Sequence, residues 1–338
     1  MARRVLAAMS GGVDSSVAAA LLLEQGHDVV GVTLKLWENP GDGGCCSAAE
    51  IEDARRVAQQ LGIDHWVFGF TEDFETQVVA PYAEAHAAGL TPNPCIECNR
   101  HIKFGRLLRR ARQLGFDAVA TGHHARIRGG RLLRGADRAK DQSYVLYVLG
   151  REELEGCLFP VGELTKAEVR AKARSLGLRT AGKPDSQDVC FVTTSGGREA
   201  LLASRIPLHA GRVVDAAGAL VGRVGAVELV TVGQRRGLGL AGGGPPQFAL
   251  AVDAAARTVT VGPLPNLLTD RVELAGITWA GEPTAGPVEA QTSAHGAPAP
   301  ARVEGATVRF DRPHRRVAPG QSVVLYRGDE VLGGGLAK

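Results

Sequence analysis

The chain has 338 residues, of which 44% are apolar and 22% are charged, and its formal net charge is +3. This composition is typical of a folded globular protein and excludes a wholly disordered chain, and the length predicts two or three domains. The longest uninterrupted aliphatic run, at positions 17–23, has seven residues, against the roughly 20 that a membrane-spanning helix needs, so we expect no membrane partner. Six cysteines are too few for a secreted disulfide scaffold of this length, and we expect a cytoplasmic protein whose thiols do chemistry.

The first 205 residues alternate strand-like and helix-like segments. Short apolar runs predict strands at 5–9, 29–36, 65–70 and 118–121, and apolar residues at helical spacing predict helices at 15–25, 48–61, 72–88 and 99–114. Strands that alternate with helices of this length predict a parallel sheet covered on both faces. The fold class of this part is therefore α/β.

The sequence changes character after residue 206, where short runs rich in Val, Leu and Thr are separated by glycines. This pattern predicts small β domains. We expect a catalytic domain at 1–205, a small central β domain at 206–266 and a C-terminal β-barrel at 267–338. The segment 280–306 is rich in Ala, Pro and Gly, which predicts that it contains a loop.

Positive charge is concentrated in one stretch of the chain. Residues 100–141 carry 12 Lys and Arg against three Asp, so the rest of the chain is net negative. A basic run is most often a solvated helix face. A basic block in a nearly neutral chain also fits a polyanionic partner such as nucleic acid, because each neutralised phosphate releases counterions. Charge alone does not decide between the two.

The segment Ser10-Gly-Gly-Val-Asp-Ser-Ser16 follows the first predicted strand and opens the first predicted helix. Glycines let backbone N–H groups approach an anion, and a helix N-terminus adds partial positive charge. The string has neither the spacing of a Walker loop nor that of a dinucleotide-binding G-x-G-x-x-G motif. It predicts a loop that holds a phosphate; a plain turn with Asp14 or Ser15 as helix cap is the simpler alternative. The string resembles the PP-loop of the adenylating ATP pyrophosphatases, and this resemblance implies that the phosphates are those of ATP.

A second candidate site is Cys95-Ile-Glu-Cys98. The pattern places Cys98 at the N-terminus of the helix 99–114, where the helix dipole, Arg100 and Lys103 favour a thiolate. Half of a zinc site, or two inert thiols, are the alternatives. Another cysteine, Cys190, precedes Phe-Val, and such a residue alone is more often a small buried hydrophobe than a nucleophile.

Taken together, the motifs resemble those of the tRNA-specific 2-thiouridylases, the MnmA family of PP-loop ATP pyrophosphatases. The resemblance covers nearly the whole chain through Ser10–Ser16, Thr91-Pro-Asn-Pro94, Cys98-Asn99, Ala120-Thr-Gly-His-His124, Lys140-Asp-Gln-Ser-Tyr144, Lys183-Pro-Asp-Ser186, Cys190-Phe-Val192, Gly233-Gln-Arg-Arg-Gly-Leu-Gly239, Pro319-Gly-Gln-Ser-Val-Val-Leu-Tyr326 and Leu332-Gly-Gly-Gly335. The phosphate-loop string is shared across PP-loop enzymes, whereas the two cysteine motifs combined with Lys140–Tyr144 are specific.

The resemblance implies ATP-dependent sulfur transfer to C2 of the wobble uridine of tRNA, with adenylation of the base and release of AMP and pyrophosphate. ATP with Mg²⁺ is the expected cofactor. The ATP-binding residues that it implies are Ala8, Met9, Ser10, Gly11, Gly12, Val13, Asp14, Ser15, Leu34 and Gly122.

The resemblance also implies roles for the cysteines. Cys190 would carry sulfur as a persulfide, received from a persulfide donor or relay protein. Cys98 would be the nucleophile that breaks this persulfide and leaves a transient disulfide with Cys190. The tRNA-binding residues that it implies are Asn93, Pro94, Cys95, His123, Lys140, Asp141, Gln142 and Gln321.

One position departs from the family pattern, in which we expect Asp three residues before the nucleophile, where this chain has Cys95. With Cys98 and Cys190 it gives three thiols, a ligand set that could hold a [4Fe–4S] cluster. The same thiols could serve a persulfide relay instead. Because cysteine spacing alone identifies metals poorly, the relay is the interpretation that we favour.

Two other functions compete with sulfur transfer. Another PP-loop adenylating enzyme, such as a tRNA lysidine synthetase or an amidotransferase-type ligase, would leave Cys98 and Cys190 without a role. A non-catalytic RNA-binding protein would not need the intact loop Ser10–Ser16.

Overall fold

The structure is a computed structural model that describes residues 2–37, 48–185, 189, 191–192, 195–242 and 244–338. The chain folds into two compact units. The first comprises Met1–Val78, Pro94–Gly197 and Asp329–Val331, and the second comprises Val79–Asn93, Arg198–Gly328 and Leu332–Lys338. Each unit is therefore assembled from segments that are far apart in the sequence. Among the helices of the described residues, none is long and apolar enough to cross a membrane.

The first unit contains a five-stranded parallel sheet and, outside that sheet, a hairpin whose second strand pairs at Leu133 with Glu330. In chain order the strands are β1 (Arg4–Ala8), β2 (Asp28–Lys35), β3 (His65–Gly69), β4 (Ala118–Ala120), β5 (Ala125–Arg128), β6 (Arg131–Arg134) and β7 (Cys157–Leu158). The sheet has the order β3-β2-β1-β4-β7, and β5 and β6 form the hairpin. The α/β fold predicted from the alternating pattern is confirmed.

Helices fill the connections between these strands. They are α1 (Val13–Glu24), α2 (Ala48–Leu61), α3 (Thr71–Phe74), α4 (Ala80–Ala87), α5 (Pro94–Glu97), α6 (Leu107–Gln113), α7 (Arg151–Glu155) and α8 (Lys166–Ser175), with π-helical turns at Glu75–Val79 and Cys98–Arg106 and 3₁₀ turns at Ser143–Leu146 and Arg179–Gly182. Strands β1 and β2 are buried along most of their length because helices cover the sheet. Their side chains form one core with α1, α2 and α8, which includes Val5, Val17, Val57 and Val169.

The structure corrects the start of one predicted helix. The segment predicted as 99–114 is helical from Pro94, through α5 and the π-helical turns to α6. Cys98 therefore lies one turn inside a helical segment and not at its N-terminus. Proline is favoured in the first turn of a helix because its missing N–H is not needed there, so Pro94 marks the true start.

The second unit contains a four-stranded sheet preceded by a helix, α9 (Arg198–Ala203). The strands are β8 (Gly211–Val214), β9 (Leu220–Val224), β10 (Phe248–Asp253) and β11 (Thr258–Gly262), in the order β10-β11-β8-β9. Alternate residues point into a core that contains Val213, Val224, Leu238 and Val259. Helix α4 belongs to this unit, where Nδ1 of its buried His86 lies 3.1 Å from the carbonyl oxygen of Glu228.

The rest of the second unit is a closed antiparallel barrel, as predicted. It follows the short helix α10 (Leu264–Leu267) and consists of β12 (Leu268–Trp279), β13 (Gly286–Gln291), β14 (Ala299–Glu304), β15 (Thr307–Arg315), β16 (Ser322–Arg327) and β17 (Glu330–Ala337). The order is β12-β15-β14-β13-β16-β17, and pairing of β17 with β12 closes it. The segment 280–306 contains loops, as predicted, at 280–285 and 292–298. Strands β13 and β14 occupy most of the rest of it and turn small side chains such as Ala290 and Ala301 inward.

Candidate active site

The predicted phosphate loop lies at the carboxyl end of β1, a position where open α/β sheets bind ligands. Gly12 caps α1 without a side chain, so the first N–H groups of the helix face outward without a capping oxygen. The Ser15 hydroxyl accepts a hydrogen bond from the Ser10 backbone N–H at 3.2 Å, which closes the loop. Gly11 has φ +72°, and a Cβ there would lie 2.6 Å from the carbonyl oxygen of Glu50. The loop is therefore shaped to present backbone donors to an anion.

A second glycine approaches the loop from the end of β4. A Cβ on Gly122 would lie 2.5 Å from the Ser15 backbone nitrogen, so only glycine fits without displacement of the loop. Leu34, near the end of the neighbouring strand β2, is buried. The structure thus brings Gly122 to the loop and places Leu34 on the strand beside it, where the sequence analysis expected both to contact ATP.

Two donors hold the carboxylate of Asp14 within this loop. The Lys166 ammonium donates to both of its oxygens at 2.8 and 2.7 Å, and His124 Nε2 lies 3.2 Å from Oδ1. Burial opposes ionisation, but the hydrogen bonds to His124 and Lys166 outweigh it and lower the pKa of Asp14 below its usual value. The loop itself contains no Lys or Arg, so Lys166 brings positive charge to it.

The same lysine belongs to a chain of ion pairs. Asp185 Oδ1 lies 2.9 Å from Lys166 Nζ, and the other oxygen lies 2.7 Å from Lys140 Nζ. Arg170 contacts Asp185 at 2.6 Å. Desolvation raises the pKa of Asp185, yet its cationic partners hold that pKa well below the usual range. The predicted tRNA contact Lys140 is thereby joined to the phosphate loop through two carboxylates and the partly buried ammonium of Lys166.

Sequence reasoning missed Lys166 and gave no role to Lys183 or Asp185. Lys183 Nζ donates to the Gly11 carbonyl at 3.0 Å and pairs with Asp53 at 2.6 Å, so it braces the phosphate loop from outside. Lys183 and Asp185 belong to Lys183-Pro-Asp-Ser186, one of the motifs that carry the family resemblance. That motif was the sequence signal from which their importance could have been predicted. Nothing in the sequence pattern around Lys166 pointed to the loop.

A further predicted tRNA contact in this unit is His123. His123 is buried, and its Nδ1 lies 2.7 Å from the Thr121 hydroxyl. Burial, with a contribution from Lys103 and His124, lowers the pKa of His123 well below its usual value, so its ring is neutral at pH 7. Contact of this ring with RNA stays a prediction.

Asp141 and Gln142 organise the turn that presents Lys140. The Asp141 carboxylate accepts from Arg134 at 3.0 Å and from the backbone of Gly135 at 2.9 Å. The Gln142 side chain accepts from the His124 backbone at 3.0 Å. Both side chains are thus engaged within the protein, and their contacts with tRNA stay predictions.

The cysteine residues fall into three groups. Cys95 and Cys98 are half-buried, one helical turn apart in the segment that begins at Pro94. Cys157 is buried in β7, and this burial raises the pKa of its thiol, so it is poorly suited to nucleophilic chemistry. Cys45, Cys46 and Cys190 lie outside the described residues. Among those described, no group of three or more Cys, His, Asp or Glu is arranged to hold a metal ion.

Two remaining predicted contacts, Asn93 and Gln321, belong to the second unit. The Gln321 side chain accepts from the Ala318 backbone at 3.3 Å, within the turn before β16. Their roles stay predictions.

The basic block at 100–141 is largely neutralised by carboxylates from the same unit. At least nine of its 12 cations have a carboxylate oxygen within 4.0 Å; those nine are Arg100, Arg106, Arg112, Arg126, Arg128, Arg131, Arg134, Arg138 and Lys140. The sequence count therefore overstates how much positive charge this block offers to a polyanion.

Family models match three consecutive parts of the chain. The tRNA methyl transferase HUP domain matches residues 3–194, the tRNA methyl transferase PRC-barrel domain matches 199–263, and the aminomethyltransferase beta-barrel domain matches 270–337. Among solved structures, the U34-tRNA thiolase NcsA from Methanococcus maripaludis with its [4Fe-4S] cluster aligns at 19% identity and a TM-score of 0.36, over 60% of this chain and 67% of that chain.

Two curated relatives are similar over almost their whole length. The tRNA-specific 2-thiouridylase MnmA of Roseiflexus sp. (strain RS-1) is 47% identical, with 98% of each chain covered. The protein of the same name from Mycolicibacterium paratuberculosis is 48% identical, with 98% of this chain and 97% of the relative covered. Identity at this level over 98% of the chain places it in the tRNA-specific 2-thiouridylase MnmA family.

Proposed function

We propose that this protein transfers sulfur to C2 of the wobble uridine of tRNA in an ATP-dependent reaction, as a tRNA-uridine 2-sulfurtransferase. The observation that carries the proposal is the phosphate loop, with its uncapped helix N-terminus and the close approach of Gly122. That loop stands in the same unit as Cys98, in a chain whose family is named for this activity. Neither competing function accounts for both the loop and the cysteine motif.

The first step of the proposed reaction is adenylation. The O2 atom of the uracil attacks the α-phosphorus of ATP, the bond to the bridging oxygen breaks, and pyrophosphate leaves with the electron pair. The N–H groups at the start of α1 and the Ser10 and Ser15 hydroxyls would stabilise the charge on the phosphates. Lys166 and Lys183 would add cationic charge beside the loop.

The expected Mg²⁺ would arrive on the phosphates of ATP. Both oxygens of Asp14 already accept from Lys166, and the described residues offer no protein cage for a metal. Mg²⁺ commonly binds through substrate phosphates and only one or two carboxylates. Its charge would supplement that of the two lysines.

The second step is sulfur transfer. The outer sulfur of a Cys190 persulfide attacks C2 of the adenylated base, and AMP leaves with the C2–O bond electrons. The Cys98 thiolate attacks the inner sulfur of Cys190, the S–S bond breaks, and its electron pair stays on the sulfur now bound to C2. A disulfide between Cys98 and Cys190 remains, and two equivalents of an external thiol must reduce it, and become a disulfide themselves, before the next turnover.

A thiolate at Cys98 suits this role for a local reason. The residue is half-buried, and Lys103 and Arg100, the latter paired with Glu97 at 3.5 Å, follow it in the same helical segment. Nearby cations favour the thiolate form. Because the helix begins at Pro94, Cys98 is not at its N-terminus and the helix dipole no longer accounts for a thiolate there. The neighbouring cations take over that role in the proposal.

The contacts with tRNA are part of the same proposal. Lys140 is exposed enough to meet a phosphate while paired with Asp185, since 43% of its side-chain surface is accessible. Residues 93–95 would flank the target base, which must leave its stack to be modified. We propose the domain boundaries 1–205, 206–266 and 267–338 for the catalytic, central and tRNA-contacting barrel domains.

The decisive experiment is incubation of the protein with unmodified tRNA, ATP and a persulfide donor, followed by mass spectrometry of the nucleosides. We expect 2-thiouridine together with equimolar AMP and pyrophosphate. Absence of 2-thiouridine under both aerobic and anaerobic conditions would overturn the proposal.

Cysteine variants then test the assigned roles. Cys190→Ser should bind ATP and tRNA but carry no protein persulfide, and Cys98→Ala should accumulate sulfur on the enzyme without releasing product. Cys157→Ala is the matched control, because that thiol is buried and its raised pKa keeps it protonated. Normal turnover of Cys98→Ala would show that the nucleophile is another residue.

A further inference from the structure

One motif has no role in the reaction described above, the loop that contains Gly233-Gln-Arg-Arg-Gly-Leu-Gly239. Its first residues are fixed to β10, since the Gly233 N–H donates to the Ala249 carbonyl at 2.8 Å and the Ala249 N–H donates to the Gln234 carbonyl at 2.9 Å. The Gln234 side chain accepts from the Thr231 backbone and donates to the Arg236 carbonyl. The loop is therefore held in one conformation by its own hydrogen bonds.

The far end of the loop packs against the edge strand β9. Gly239 has φ +62°, and a Cβ there would lie 1.9 Å from the carbonyl oxygen of Arg223. Leu238 is buried in the core of the sheet. Arg235 and Arg236, in contrast, are exposed. The backbone is anchored, and two neighbouring guanidinium groups are presented to solvent.

Two more exposed arginines lie on β9, against which the loop packs, and on its neighbour β8. Arg212 on β8 and Arg223 on β9 are directly opposite each other in the antiparallel register. Each alternates with a buried valine, Val213 or Val224, so both side chains point away from the core. Like charges in opposite positions destabilise a strand pair. We call these two exposed pairs, Arg212/Arg223 on the strands and Arg235/Arg236 on the loop, the central arginine surface.

The carboxylates of the segment 206–266 do not neutralise this surface. The segment contains five arginines and three carboxylates. Each carboxylate is engaged elsewhere: Asp215 accepts from the backbone of its own turn, Glu228 from His209, and Asp253 from the backbone of Ala256. Among the residues that the structure describes, no ion pair is formed by any arginine of the central arginine surface. The basic block at 100–141 is the opposite case, because most of its cations are paired.

We propose that the central arginine surface binds the phosphate backbone of the RNA substrate. This inference rests on the proposed function, which supplies an extended polyanion. Guanidinium groups bind phosphates through paired N–H donors, and interactions of this kind position a nucleic acid without reading its sequence. Bound phosphates would also relieve the repulsion between Arg212 and Arg223.

The test compares three double variants. The loop variant is Arg235→Gln/Arg236→Gln, the strand variant is Arg212→Gln/Arg223→Gln, and the matched control is Arg55→Gln/Arg56→Gln. The control removes two adjacent exposed arginines that pair with Glu52 on α2. The equilibrium affinity for unmodified tRNA is measured at several salt concentrations, and ATP affinity and thermal unfolding are measured on the same samples.

We expect the loop and strand variants to bind tRNA more weakly. The slope of log K against log salt should be smaller by about 1 for each phosphate that the variant no longer neutralises. ATP affinity should not change, and the strand variant should unfold at the wild-type temperature or above it, since a like-charge pair is removed. The control should retain the wild-type slope. Wild-type affinity and slope in both surface variants would overturn the inference.

The outcome is distinguishable from failure of the proposed function. If wild-type protein forms 2-thiouridine while both surface variants bind tRNA normally, the inference is wrong and the function stands. If the variants bind tRNA normally but lose thiolation only with a protein sulfur donor, and not with a small persulfide, the surface binds that protein and the RNA assignment is wrong. If wild-type protein forms no 2-thiouridine, the proposed function itself fails.

Discussion

Replacement of Lys166 by Met should weaken both the folded state and the binding of ATP. The variant keeps the length of the side chain but removes the ammonium that lies between Asp14 and Asp185. Of its ion pairs with the residues that the structure describes, Asp14 would keep the one with His124, at 3.2 Å. A carboxylate that remains ionised in the phosphate loop without its cation would repel the phosphates of ATP.

The magnitude follows from distance and burial. Unit charges about 4 Å apart interact by about 4 kcal/mol at an effective dielectric constant of about 20. The Lys166 side chain is 12% exposed and its partners Asp14 and Asp185 are 29% and 34% exposed, so the pairs lie between surface pairs, worth at most about 1 kcal/mol, and buried pairs, whose breakage costs about 3–5 kcal/mol. We expect a loss of about 2 kcal/mol in the free energy of unfolding and about a tenfold rise in KM for ATP.

Lys172→Met is the control on the same helix. Lys172 pairs with Glu24 at 2.6 Å, but their side chains are 31% and 46% exposed, so its loss should cost less than about 1 kcal/mol. Urea unfolding at pH 7 gives the stabilities, and initial rates at varied ATP give KM. Lys166→Arg should restore part of both losses. Equal stabilities and equal KM values for Lys166→Met and Lys172→Met would refute the reasoning.

Three further outcomes are expected. Gly122→Ala should abolish ATP binding, because the new Cβ would lie 2.5 Å from the Ser15 nitrogen, whereas Gly69→Ala, with no atom within 4 Å of its Cβ, should bind ATP normally in calorimetry. Burial lowers the pKa of His86 to about 4 from its usual 6.5. The contribution of His86 to stability is therefore complete above pH 6.5 and is lost as the pH falls towards 4, by up to about 3 kcal/mol. His86→Gln should flatten that part of the profile of unfolding free energy against pH measured with urea, and an unchanged profile would contradict the assignment. Cys95→Ala should keep thiolation with a small persulfide donor. Wild-type protein treated anaerobically with iron and sulfide should show no iron–sulfur absorption at about 400 nm. An absorbing, active wild type together with a colourless, inactive variant would establish the cluster route instead.

The sequence could predict the features of the site that are local. A strand, a glycine turn and a helix are consecutive in the chain, so the position of the loop around Gly11 between β1 and α1 could be predicted from the order of these elements. The hairpin of β5 and β6 was missed although Gly129 and Gly130, both with positive φ, are a recognised hairpin signal. The start of the Cys98 helix was misplaced, although Pro94 is a residue type that is favoured in the first turn of a helix.

The features that could not be predicted join distant parts of the chain. Lys166 and Asp14 are 152 positions apart, and no periodicity or composition pairs a lysine with a particular carboxylate at that separation. The same holds for the basic block at 100–141. Its net charge follows from the sequence, but the carboxylates that pair with its cations, such as Asp329 with Arg126, lie far away in the sequence and could not be identified. Long-range ion pairs depend on how distant helices and strands are arranged in space. The order of these elements along the chain predicts the fold class but not which side chains meet.

The interleaved path of the chain has a consequence for synthesis on the ribosome. Residues 79–93 belong to the second unit, and the buried His86 of α4 meets its partner Glu228 only 142 residues later. At about 5–20 residues per second this separation corresponds to roughly 7–30 s, during which the apolar face of α4 is exposed. The first unit in turn includes Asp329–Val331, near the end of the chain. A nascent chain stalled before residue 329 could complete neither unit, so we expect truncated products to be targets for chaperones and proteases rather than partly active enzymes.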